Sequence, residues 1–126
     1  MAIRRIHFQS IPVADQDRAL AFYTTNFGFE VHTDAPYGEG WRWIFLTLPG
    51  AETRLHFASP DDMTVNDKPA LCLVCDNVDD EAKKLRANSV EITNGPDDAP
   101  WHPGVRWLML RDTEDNLVLL ESFKES

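Results

Sequence analysis

The chain has no apolar run near the roughly 18 residues that a membrane-spanning helix requires, so a helical membrane protein is not expected. Its start, Met1-Ala2-Ile3-Arg4-Arg5, carries positive charge but no apolar stretch of signal-peptide length behind it. The expected compartment is therefore the cytoplasm. Basic residues are scarce: 12 Lys and Arg stand against 21 Asp and Glu, a formal net charge of -9. Binding to phosphate backbones needs clustered cations, so nucleic acid is excluded as a partner, and an anionic membrane surface with it. The acidic balance serves solubility and leaves a cationic ligand open. Cysteine is nearly absent. Cys72 and Cys75 have C-x-x-C spacing, but they lie in the strand-like run Ala70-Leu71-Cys72-Leu73-Val74-Cys75. Residues three apart on a strand face opposite ways, and a redox pair wants a helix N-terminus. Two buried, reduced thiols are expected. Also missing are a G-x-S-x-G nucleophile motif, a P-loop and a dinucleotide fingerprint. Asp97-Asp98 and Asp79-Asp80-Glu81 read as loop and helix-start charges, not as paired catalytic carboxylates.

What the chain does have is an internal repeat. Gly40-Trp41-Arg42-Trp43-Ile44-Phe45-Leu46 is echoed by Gly104-Val105-Arg106-Trp107-Leu108-Met109-Leu110. Each copy follows a helix-like segment and precedes a turn and another apolar run. The unit is too long for a solenoid repeat and suits a duplicated supersecondary module. At 126 residues, 43% hydrophobic and 26% charged, the chain is read as one domain, 1–126, with modules at about 1–60 and 69–126.

Within the first module, Ile3 to Val13 reads as a strand. Asp15 caps a helix whose stripe is Ala19, Leu20, Phe22, Tyr23 and Phe27, and Gly28 ends it. Strands follow at Phe29–Thr33, Trp41–Leu48 and Thr53–Ala58, with a loop over Ala35–Gly40. Ser59 to Lys68, polar and holding Pro60, is the linker. The second module runs as a strand to Cys75, a helix capped by Asp76 or Asn77, strands at Val90–Thr93, Val105–Leu110 and Leu117–Phe123, and a loop over Asn94–Pro100. The order is βαβββ twice. The fold class is α+β: two βαβββ modules forming a curved mixed sheet around a cleft.

This organisation resembles the vicinal oxygen chelate superfamily, which includes glyoxalase I, extradiol dioxygenases and bleomycin-resistance proteins. The resemblance rests on Ile11-Pro12-Val13-Ala14-Asp15, Ala19-Leu20-Ala21-Phe22-Tyr23 and Phe27-Gly28-Phe29-Glu30-Val31. It extends to Arg111-Asp112-Thr113-Glu114-Asp115-Asn116-Leu117, similar to the family's closing D-P-D-G-N turn with Thr113 for Pro and Asp115 for Gly. Metal-dependent members bind one divalent cation through four side chains. The resemblance places those positions at Phe8, His56, Ala70 and Leu119, three of which carry no donor, so no metal and no other cofactor is expected. His7 is one residue off and is expected on the opposite face. A shifted set of His56, Cys72 and Glu121 is the metal-binding alternative.

The candidate ligand-binding residues are Trp41, Trp43, His56, Trp101, Trp107 and Glu121. Aromatic faces suit planar or cationic ligands by stacking and cation–π contact. Glu121 would supply a negative pole. Arg42 and Arg106 are repeat partners read as ion-pair residues, and His102 as solvated. The resemblance to the drug-sequestering branch implies metal-free binding of a small, planar aromatic molecule and assembly as a homodimer. The alternative is a glyoxalase-like lyase or isomerase acting on a small ketone or thioester, with His56 as general base. A third reading is a module whose cleft has lost its ligand and serves association.

Overall fold

Both helices begin where a side chain replaces the missing helical partner of a backbone N–H. In α1 (Gln16–Phe27), Asp15 accepts from Arg18 N at 3.0 Å. In α2 (Val78–Ala87), Asn77 accepts from Asp80 N at 3.0 Å. Gly28 closes α1 at φ 73°, a left-handed conformation that costs a glycine little, and its N–H donates to Tyr23 O. The structure, a computed structural model, describes residues 2–38 and 40–124. Met1, Glu125, Ser126 and, within the expected 35–40 loop, Glu39 lie outside the described residues.

Two units meet between Thr64 and Val65, inside the polar stretch read as a linker. In the first unit, β1 (Phe8–Pro12), β2 (Glu30–Pro36), β3 (Arg42–Thr47) and β4 (Arg54–Ala58) form one sheet in the order β1-β4-β3-β2. β1 runs parallel to β4, and the other pairings are antiparallel. In the second unit, β5 (Leu71–Val74), β6 (Ile92–Asp98), β7 (Val105–Arg111) and β8 (Leu117–Phe123) repeat the arrangement as β5-β8-β7-β6, with β5 parallel to β8. The repeat in the sequence is thus a repeat in topology. The architecture is two βαβββ modules, each with one helix and one four-stranded mixed sheet.

Each unit has its own core, set by strand alternation. In the first, Ile11, Ile44, Leu46, Leu55 and Phe57 are buried with Ala19, Phe22 and Tyr23 of α1. In the second, Leu108, Leu110, Val118 and Leu120 are buried with Val78, Ala82 and Leu85 of α2. Among the described residues, no helix is long and apolar enough to cross a membrane.

Some expectations need correction. β1 begins only at Phe8, where residue pairing with β4 starts at Arg54; ahead of it one backbone bond remains, Arg54 N donating to His7 O at 2.8 Å. β2 runs to Pro36 and β6 to Asp98, past their expected ends, because pairing with β3 and β7 continues through residues read as loop; the register shifts between Val31 and Thr33 in β2 and between Ile92 and Asp97 in β6. The two cysteines are unpaired but not buried: Cys72 is exposed and Cys75 partly so. β5 is the edge strand of its sheet, next to β8.

Candidate functional site

The helix-free face of the first sheet is aromatic. The period of two that buries Ile44 and Leu46 turns Trp43 and Phe45 the other way, and the β4 register sets His56 opposite Phe45. Parallel pairing aligns Ser10 with His56. The His56 ring lies 4.5 Å from Trp43, 5.1 Å from Phe8 and 5.3 Å from Phe45, centroid to centroid. Ser10 Oγ and His56 Nδ1 are hydrogen-bonded at 2.9 Å. His56 is 8% exposed, and its Nε2 is buried with no hydrogen-bond partner among the described residues. Desolvation holds its pKa below the ordinary histidine value, so the ring is neutral at pH 7.

Beside this histidine opens a pocket of about 390 Å³, lined by Ser10, Tyr37, Trp41, Trp43, Asp62 and Met63 among others. That volume lies in the range of small-molecule sites. Tyr37, 62% exposed, leans on Trp43 at 5.3 Å. The segment after β4 turns tightly, with Asp62 N and Met63 N both donating to Ser59 O, which brings Asp62 and Met63 to the rim. The chemistry on offer is flat apolar contact, one unpartnered neutral imidazole nitrogen and one carboxylate.

Of the six candidate residues, Trp41, Trp43 and His56 thus share one pocket. The other three gather in the second unit. Trp101, 54% exposed, meets Trp107 at 5.6 Å, and Glu121 sits opposite Trp107 in the β7–β8 register. Glu121 accepts from the Cys72 thiol at 3.0 Å. Partial burial of the sulfur, with that carboxylate beside it, pushes the Cys72 pKa up to about 12, the opposite of an activated thiol. Trp107 Nε1 is buried without a hydrogen-bond partner among the described residues.

Tyr37, Ser10, Asp62 and Met63 were missed in the sequence. Tyr37 had a readable signal, since it occupies in the first repeat the place of Trp101 in the second. Ser10 had none, because its role depends on parallel strand register. His7 is corrected: β1 has not yet begun there, so alternation does not apply, and its ring stacks on Phe45 at 5.6 Å. Among the described residues no group of three or more His, Cys, Asp or Glu side chains comes together as a metal site. Of the positions expected by resemblance, Phe8, Ala70 and Leu119 offer no donor, and the residues present do not fit a bound cation.

The two arginines form a duplicated clamp. Arg42 binds Asp34 through two hydrogen bonds, at 3.0 and 2.8 Å, and Asp17 at 2.6 Å. Arg106 binds Asp79 twice, at 3.2 and 2.8 Å, and Asp98 at 3.3 Å. The Arg42 guanidinium holds the Asp34 carboxyl below its ordinary range, and Arg106 does the same to Asp79. Both arginines join the helix start to the sheet and are committed there. His102 is exposed, with Nδ1 2.8 Å from Pro103 O.

A family model described as the Glyoxalase/Bleomycin resistance protein/Dioxygenase superfamily matches residues 5–120. The structure is similar to that of TnmS3, an antibiotic binding protein from Streptomyces sp. CB03234, at 31% identity and a TM-score of 0.85, covering 98% of this chain and 99% of that one. It is also similar to a member of the same superfamily from Sphaerobacter thermophilus DSM 20745, at 27% identity and a TM-score of 0.84, covering 97% and 99%. In sequence the chain is 28% identical to YetH of Bacillus subtilis (strain 168) over 121 residues, covering 94% of this chain and 98% of that protein.

Proposed function

We propose that this chain, which belongs to the glyoxalase/bleomycin resistance protein/dioxygenase superfamily, binds a small, planar aromatic molecule without a metal, in the pocket beside His56. The observation that carries this conclusion is the pocket itself: about 390 Å³, walled by Tyr37, Trp41 and Trp43. Rings of this kind give a flat ligand stacking surface on a scaffold of paired strands. Asp62 at the rim and the net charge of -9 disfavour anionic ligands. Similarity to the antibiotic binding protein TnmS3 supports the class of function. The cytoplasm is the proposed compartment, where Cys72, exposed and unpaired, stays a thiol.

Titration with a panel of neutral and cationic planar aromatics tests the proposal. Saturable quenching of tryptophan fluorescence is expected, and Trp41→Ala should weaken it by about 0.5–1.5 kcal/mol or more, since the ring contact adds that much beyond area burial. A panel without saturable quenching overturns it. About one metal ion per chain after dialysis, lost in His56→Ala, overturns the metal-free part.

The unpartnered Nε2 of His56 also favours a second reading, a lyase or isomerase with that nitrogen as general base. Turnover of a small ketone or thioester that His56→Gln abolishes would select it over simple binding. We also propose a homodimer. Trp101, Val74 and Phe123 of the second unit are 54%, 68% and 51% exposed, apolar surface that association would cover.

A further inference from the structure

We propose that the ligand of the first-unit pocket carries an oxygen substituent on its ring, a phenolic hydroxyl or an aryl carbonyl, and that this oxygen is held by His56 Nε2. The inference rests on the aromatic-binding reading above and adds the chemical class that the pocket selects.

The hydrogen bonding of His56 is incomplete among the described residues. His56 has two ring nitrogens, and Ser10 Oγ satisfies Nδ1 at 2.9 Å. Nε2 is buried and has no partner among the described residues. Buried polar atoms without partners are uncommon, and each calls for an explanation. The neighbours that enclose the ring are Phe8, Trp43 and Phe45, whose ring carbons offer no strong partner. The imidazole stays neutral, because burial opposes its protonation. A neutral imidazole has one N–H and one lone pair. The Ser10 hydroxyl can donate to Nδ1 or accept from it, so the tautomer is free to follow the ligand. With Ser10 donating, Nε2–H meets a carbonyl oxygen. With Ser10 accepting, the Nε2 lone pair meets a hydroxyl. An ammonium or a bare hydrocarbon makes poorer use of the position, the first because it must be desolvated among rings, the second because it leaves Nε2 unpaired.

Trp43, the ring nearest to His56 and itself half-buried, lines the same pocket.

The test is equilibrium dialysis of naphthol against methylnaphthalene, two flat molecules of nearly equal shape, at neutral pH. Naphthol is the less hydrophobic, so partitioning alone favours methylnaphthalene. The expected result is a preference of about tenfold for naphthol, the worth of one hydrogen bond to an otherwise unpaired buried atom. His56→Phe should erase that preference while still binding methylnaphthalene. A second readout needs no variant: the His56 Nε2 nitrogen resonance should move with naphthol and stay with methylnaphthalene. Equal binding of both probes by the unaltered protein, or a preference that survives His56→Phe, overturns this inference and leaves aromatic binding standing. Binding of neither probe overturns both.

Discussion

At the scale of single residues, the chemistry concentrates on His56. The fourth strand and its alternation were legible, so His56 could be picked out, yet what makes it distinctive was not. Its partner Ser10 is 46 positions away and arrives through parallel pairing that no local pattern encodes. Tyr37 was legible in principle, through its repeat partner Trp101. His7 shows the converse, a local rule applied beyond the element that justifies it. The lowered pKa of His56 has a signed consequence. The unfolded chain takes up the proton first, near the ordinary value of 6.5. Stability is therefore fully present above that value and falls as pH drops from it toward the depressed folded value. Thermal melts from about pH 7 to 5 should show His56→Gln losing less stability than the unaltered protein across that window. Parallel profiles for the two would contradict the assignment.

At the scale of elements, helices were easier to read than strands. The cap at Asp15 and the stop at Gly28 are single-residue signals with local causes, and of the two residues expected to cap α2, Asp76 or Asn77, it is Asn77 that does. The ends of β2 and β6 were not legible, because each is set by continued pairing with its neighbour strand through residues that locally read as loop. Gly95 in β6 makes the point. It sits at φ +75°, and a Cβ there would lie 2.6 Å from the Trp107 carbonyl oxygen. Gly95→Ala should cost about 2–3 kcal/mol, from the left-handed backbone together with the clash. Asn77→Ala, which removes a single cap bond, should cost about 1 kcal/mol. Chemical denaturation of the two variants checks the order, and a Gly95→Ala variant as stable as Asn77→Ala would contradict it. The clash falls on the backbone of Trp107, so Gly95 also fixes how closely β6 approaches the strand that carries that ring.

At the scale of the whole molecule, duplication was the most legible feature and proved to be topological: the same strand order, the same arginine clamp and the same pairing of a loop ring with a strand tryptophan occur in both units. The copies differ in their side-chain chemistry. His56 in the first unit corresponds to Leu119 in the second, since each stands opposite the equivalent β3 or β7 residue, Phe45 or Met109. The first copy therefore holds a polar ring where the second has an apolar side chain. Assembly belongs to this scale too. Sedimentation at micromolar concentration should show a species of twice the 14.4 kDa chain mass, and a 14.4 kDa species throughout that range would contradict the homodimer. The central claim, an aromatic ligand seated in the first unit, is tested most directly by following the four indole N–H resonances during titration with naphthol. The Trp41 and Trp43 signals should shift saturably with one shared affinity. A titration that moves only Trp101 and Trp107, or leaves all four in place, would contradict it.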